Sequence, residues 1–217
     1  MTVVKICGNT TLEDALLAAQ AGADMLGFIF YPPSPRAIGV DEARTAMAAL
    51  RAALRAACQP CPLLVGVFVN ETAEHMQRVL DDVGLDLAQL SGNEPQEILT
   101  TMNGRAFKVV RGKTWSDWRS MLIQERPDRT AGIPAFLLDA DHETLYGGSG
   151  VQADQALAAT LAQAHSMLLA GGLTPDNVSD VVRQIRPWGV DVASGTEAAP
   201  GKKDHAKVLA FIRNAKL

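Results

Sequence analysis

The sequence predicts an α/β fold, a single-domain (β/α)8 barrel of eight parallel strands within a ring of helices. Three observations lead there. Short apolar runs alternate with helical patterns along the whole chain. Most of those runs are nearly continuous in apolar residues, as strands covered on both faces are. The length, 217 residues, matches eight strand–helix units closed on themselves. Strict alternation implies parallel pairing through helical crossovers. The competing architecture, an open doubly wound sheet, gains nothing from the first strand–helix turn, which reads CGNTTLED and not G-x-G-x-x-G.

The expected strands are residues 3–7, 25–30, 63–69, 85–90, 107–110, 135–139, 167–170 and 190–193. Between them, Ala43, Met47, Leu50 and Leu54 recur at spacings of three and four, with Arg44, Arg51 and Arg55 off the stripe. Met76, Val79, Leu80 and Val83 form a second apolar stripe. Thr10 with Glu13 reads as a capping box for the first helix. Thr174 followed by Pro175 reads as a cap and first turn after the seventh strand. No linker divides the chain, so residues 1–217 are expected to form one domain.

Composition narrows the function classes. Hydrophobic residues make up 47% and charged residues 20%, and the formal net charge is −4. That balance leaves no electrostatic footprint for nucleic acid or an anionic membrane. No apolar run approaches the roughly eighteen residues a membrane helix needs. The N-terminus enters a strand directly, which argues against a signal peptide. Three cysteines make no disulfide framework, so a cytoplasmic setting is expected.

In such a barrel the C-terminal ends of the strands carry the chemistry. The last two of these loops, AGGLT and ASGTE, place Gly171, Gly172, Ser194 and Gly195 where barrels often bind a phosphate through backbone N–H groups. Cys7 closes the first strand, and a thiol there is either a packed core group or a base. Asp139 closes the sixth strand, at the rim. Residues two apart share a strand face, so Lys5 points with Cys7 and Asp191 with Ala193. If that face is inward, an interior lysine needs a partner, and Asp191 is the partner expected. Arg36, in the proline-stiffened loop PPSPRAI, hangs over the mouth and suits a carboxylate.

Cys58 and Cys61 form one C-x-x-C with no second pair and no nearby histidine, poor spacing for zinc, on the face of the barrel that carries stability. The histidines at 75, 142, 165 and 205 form no ligand cluster, and only His142 falls near the mouth. No metal site is expected.

Taken together, VKICG, GADMLGFIFYPPSPR, VGVFVN, LLDA with GGSG after it, LAGGLTPDNV and GVDVASGTE…PGKKD resemble the phosphoribosylanthranilate isomerase family of tryptophan biosynthesis. The resemblance implies a metal- and cofactor-free barrel that converts the aminoaldose N-(5-phosphoribosyl)anthranilate to the aminoketose 1-(2-carboxyphenylamino)-1-deoxyribulose 5-phosphate. It implies Cys7 as general base and Asp139 as general acid. Arg36 would hold the anthranilate carboxylate, Asp191 would sit by the base, and Gly171, Gly172, Ser194 and Gly195 would hold the phosphate. The partner is then a small phosphosugar–anthranilate substrate, and the protein a monomer or homodimer.

The pairing of roles poses a constraint. About 3% of isolated cysteine is thiolate at pH 7, and far less isolated aspartic acid is protonated. Burial is expected to raise Asp139, and Lys5 to favour the Cys7 thiolate. The sequence also departs from the family: Ser91 stands where QLHG has its histidine, and Ala153 and Gln155 replace aromatics that flank the position of Asp154. Two rivals remain: a related barrel isomerase acting on the aminoaldose of histidine biosynthesis, and a barrel that binds a phosphosugar without turning it over. The first would carry two phosphate loops in similar halves, and only one such site is visible. The second needs neither Cys7 nor Asp139.

Overall fold

The computed structural model describes residues 1–111, 132–139 and 151–217, with side chains from Ala158 onward in the last segment. Eight parallel strands close into a barrel in chain order: β1 Val3–Ile6, β2 Met25–Ile29, β3 Leu63–Phe68, β4 Leu87–Leu90, β5 Ala106–Arg111, β6 Phe136–Asp139, β7 Met167–Ala170 and β8 Gly189–Val192. Closure runs through β1 and β8, with Val3 opposite Gly189 and Lys5 opposite Asp191. All eight expected strands form. Their ends differ by a residue or two: β1 stops at Ile6, and Leu85 precedes β4.

Helices cover the outside: α1 Leu12–Gln20, α2 Val40–Ala56, α3 Ala73–Val83, the short α4 Glu97–Thr101, α5 Val151–Ala164, α6 Val178–Ile185 and α7 His205–Ala215. The stripe Ala43, Met47, Leu50, Leu54 is buried on α2, and Met76, Val79, Leu80, Val83 on α3. Two caps differ from the sequence reading. Thr11, not Thr10, caps α1, its Oγ1 accepting from Asp14 N at 3.1 Å. Thr10 Oγ1 instead donates to Gly201 O at 2.5 Å. After β7, residues 174–177 form a turn and α6 begins only at Val178. Thr174 N donates to Asn177 Oδ1 at 2.8 Å, which closes that turn before the helix starts. A hairpin absent from the sequence reading, β9 Glu197–Ala199 with β10 Lys202–Lys203, turns at Gly201. The segments 112–131 and 140–150, which include His142 and GGSG, lie outside the described residues, as do the side chains of Ala153, Asp154 and Gln155.

The apolar core has two parts. One lies between strands and helices and includes Val4, Ile6, Leu26 and Phe28. The other fills the barrel's interior with Met25, Val65, Leu87, Phe107, Leu137 and Leu168. Buried ion pairs interrupt this packing, two of them made by lysines on the barrel strands. Lys5 Nζ donates to Asp191 Oδ1 at 2.8 Å inside the barrel. Lys108, on β5, donates from Nζ to Glu94 Oε2 at 2.5 Å. Glu94 Oε1 also accepts from Asn70 N and Gly92 N, each at 2.9 Å. Burial opposes ionisation of Glu94, yet the Lys108 bond and these N–H groups outweigh it and hold the carboxyl below its ordinary range.

That pair ties the loop after β4 to β5. Removing one member strands the other charge in the core. Lys108→Met is expected to lower unfolding free energy in urea by about 3–5 kcal/mol, and Lys108→Met/Glu94→Leu to recover part of that loss. A single variant as stable as the native protein contradicts this account.

Candidate active site

A cavity of about 600 Å³ opens at the C-terminal end of the barrel. Cys7, Arg36, Asp139, Asp191 and both glycine turns line it. The sequence-predicted site residues therefore meet in one place, because alternate residues of parallel strands point inward and the last inward residue of each reaches the mouth.

Cys7 follows β1 and is 5% exposed. Its N–H donates to Val192 O at 2.8 Å, which extends the β1–β8 contact by one residue beyond the strand end. Gly27, on β2, makes room for the thiol: a Cβ at that position would lie 2.6 Å from Cys7 Sγ and 3.0 Å from Lys5 Nζ. Lys5 and Asp191 pair below the thiol, as the strand parity predicts. Burial works against the Lys5 charge, but Asp191 and Cys7 together raise the ammonium above its ordinary value. Burial pushes the Cys7 thiol up, and the opposing pull of Lys5 is insufficient to reverse it. The expectation that Lys5 makes the thiolate accessible is thus met only in sign: the cation assists, and desolvation wins.

Asp139 ends β6 and is half-buried at the rim. In barrel order β6, β7, β8, β1, the strands carrying the two glycine turns lie between Asp139 and Cys7. Gly171 and Gly172 have φ of 98° and 59°, conformations that favour glycine. Asn177 braces this turn from below, donating through Nδ2 to Gly172 O at 3.0 Å. Ser194–Thr196 is one turn of 3₁₀ helix, and Gly195 packs so closely on the neighbouring turn that a Cβ would lie 1.9 Å from Leu173 O. The two glycine turns are therefore loop backbone, not the start of α6.

Arg36 reaches the mouth from the loop after β2, but it does not stand alone. Its Nε and Nη2 donate to Glu197 Oε1 and Oε2, each at 2.7 Å. Burial opposes the Glu197 charge, and the Arg36 bonds overcome it, so the carboxyl is held below its usual range. Lys203 Nζ donates to Cys7 O at 2.6 Å and Ala193 O at 3.0 Å and lies 3.6 Å from Glu197 Oε1. Sequence reasoning missed both Glu197 and Lys203. It also missed Gln89, inward on β4, whose Nε2 donates to Ser91 Oγ at 3.2 Å. Gln89 Oε1 is buried without a hydrogen-bond partner among the described residues. Strand parity, applied to QLSG, would have found it. Ser91, where a histidine was noted as usual, lines the same cavity. Cys58 and Cys61 are exposed, away from this cavity, and no group of three metal-ligating side chains occurs among the described residues.

A closed parallel barrel with a thiol, a carboxyl group and two glycine turns around one cavity has the layout of a β/α-barrel enzyme. The comparisons with known proteins give the family: residues 4–214 match the sequence profile of N-(5'phosphoribosyl)anthranilate (PRA) isomerase, and the chain belongs to that family of isomerases. It is 41% identical over 216 residues to the N-(5'-phosphoribosyl)anthranilate isomerase of Pelobacter propionicus, covering 100% of this chain and 96% of that one. The Roseiflexus castenholzii enzyme of the same name is 43% identical over 215 residues, covering 99% and 98%. Phosphoribosyl anthranilate isomerase from Thermotoga maritima superposes with a TM-score of 0.79 at 40% identity, covering 100% of this chain and 99% of that one. A phosphoribosyl anthranilate isomerase in complex with reduced 1-(o-carboxyphenylamino)-1-deoxyribulose 5-phosphate superposes with a TM-score of 0.79 at 37% identity, with 100% and 99% coverage.

Two outcomes test the site's geometry. Iodoacetamide labelling of Cys7, followed by peptide mass spectrometry, is expected to reach half its limiting rate at a higher pH than for free cysteine, because the thiol is raised by burial. Gly195→Ala is expected to push the two glycine turns apart and weaken inhibition by a phosphosugar analogue at least about tenfold, measured as Ki.

Proposed function

We infer that this cavity carries out the family's isomerisation in tryptophan biosynthesis, turning N-(5-phosphoribosyl)anthranilate into 1-(2-carboxyphenylamino)-1-deoxyribulose 5-phosphate by general acid–base catalysis. One observation carries the assignment of roles: Cys7 and Asp139 stand on either side of the glycine turns around a shared cavity.

The chemistry uses that layout. The N–H groups of Gly171, Gly172, Ser194 and Gly195 hold the 5-phosphate, which sets the ribose between acid and base. Protonated Asp139 gives its proton to the ring oxygen. The C1–O bond breaks, and the nitrogen lone pair forms an iminium. The iminium acidifies the C2 hydrogen, which the Cys7 thiolate removes. The resulting enolamine tautomerises to the ketone as the C2 hydroxyl loses a proton and C1 gains one, and exchange with solvent then returns a proton to the Asp139 carboxylate and takes one from the Cys7 thiol, restoring both groups.

The other residues take supporting roles. Arg36 receives the anthranilate carboxylate through the side of its guanidinium not bonded to Glu197. Asp191 pairs with Lys5, and the pair fixes the position of the ammonium beneath the thiol. Gln89 Oε1 supplies an acceptor inside the cavity for a substrate N–H or hydroxyl, since a buried carbonyl oxygen favours a partner. The whole chain acts as one barrel domain, without metal or organic cofactor, in the cytoplasm, as a monomer or homodimer.

Turnover is followed as loss of anthranilate-type fluorescence on freshly made substrate. Cys7→Ala and Asp139→Asn are each expected to lower kcat by about 10²–10⁴-fold with smaller changes in KM. Undiminished kcat in both variants overturns the assigned roles. Absence of turnover by the native protein overturns the substrate.

A further inference from the structure

We propose that the β9–β10 hairpin is a positioning clamp for the active site: Lys203 fastens the β1 rim at Cys7 to the β8 rim at Ala193, and Glu197 aims the guanidinium of Arg36. The proposal rests on the reading of Cys7 as base and Arg36 as carboxylate receptor, and it assigns work to two residues that lie behind the cavity lining.

The hairpin is short, and its position comes from contacts at several points. Gly201 O accepts from Thr10 Oγ1 at 2.5 Å. Asp204 N donates to Thr196 O at 2.9 Å. Lys203 N lies 3.3 Å from Asp14 Oδ2. A Cβ on Gly201 would fall 2.8 Å from Pro35 O, so the turn lies against the very loop that carries Arg36. From this seat two side chains reach inward. Lys203 is 4% exposed and Glu197 8%.

Their placement is poorly explained by stability alone. Burying an ion pair costs desolvation that apolar residues of similar volume avoid. Lys203 carries that cost openly, since burial pulls its ammonium below the ordinary value despite the neighbouring Glu197. What the charges provide is direction. Lys203 bonds one carbonyl from each side of the β1–β8 seam, at the residue that bears the thiol. Glu197 occupies Nε and Nη2 of Arg36 in a two-point fork, which fixes the plane of the guanidinium and leaves Nη1 for a ligand carboxylate.

Lys203 also acts on Cys7 through space. The charged groups facing the thiol are Lys5 from β1, Asp191 from β8, Lys203 from β10 and Arg36 from the loop after β2. Among them Lys203 favours the thiolate, so its removal moves the thiol further from ionisation.

The test separates the two arms and the underlying reading. Glu197→Gln keeps the shape and loses the charge; KM is expected to rise at least about tenfold while kcat stays within about threefold. Lys203→Met is expected to lower kcat at least about tenfold with little change in KM, and to move the half-point of Cys7 alkylation to higher pH. Lys203→Gln replaces it if Lys203→Met does not fold. The alkylation measurement needs no substrate, so it tests the clamp even if the substrate assignment fails. Parallel losses in kcat and KM-independent activity that track the folded fraction, together with an unmoved alkylation half-point, overturn the clamp while leaving Cys7 and Arg36 in their roles.

Discussion

Closure of the barrel places a lysine with no access to water against an aspartate on the last barrel strand, and the candidate active site is built on that pairing. Lys5 and Asp191 are register partners across the β1–β8 seam, and their 2.8 Å contact is the charged floor under Cys7. An isolated ammonium in that position would be untenable. With Asp191 present it keeps its charge, and the thiol above it has a cation within the same apolar shell. Gly27 completes the arrangement by having no side chain where Sγ and Nζ meet. The thiol is not acidified by this setting: burial pushes it up, and Lys5 and Lys203 oppose that rise without reversing it.

The rim shows the same logic applied to backbone. The two glycine turns interlock so tightly that Gly195 admits no Cβ against Leu173 O. Asn177 accepts from Thr174 N and donates to the Gly172 carbonyl, so one side chain ties the turn together. On the opposite side, Glu94 and Lys108 secure the loop that carries Ser91. The mouth is thus held by charge pairs and backbone contacts, while the barrel below it is held by apolar packing.

The fold and the residues lining the cavity were legible because they depend on local pattern. Continuous apolar runs marked the strands, and parity put Lys5 with Cys7 and Asp191 within reach of Lys5. Positions at strand ends then pointed to Asp139 and the glycines. What was not legible depends on distance along the chain. Arg36 and Glu197 are 161 residues apart, and nothing in either neighbourhood announces the other. Lys203 lies in a strand of two residues, too short to produce a period. The cap of α1 was misread by one because Thr10 and Thr11 both suit it, and only the hairpin's Gly201 decides which hydroxyl is occupied elsewhere. Gln89 is readable by the same parity that places Lys5, but an uncharged glutamine between Ala88 and Leu90 does not mark a strand interior as functional.

The seam has a consequence for how the protein is made. Lys5 meets Asp191 across 186 positions, and Cys7 meets Lys203 across 196. These are among the most distant contacts a chain of 217 residues can form, and contacts of this kind form late because the intervening loop must close first. During synthesis the thiol emerges well before Asp191 and Lys203, the groups that surround it in the folded barrel. Until both are made, Cys7 lacks the charged setting they complete. That setting is assembled when β8 and the β9–β10 hairpin fold back onto β1.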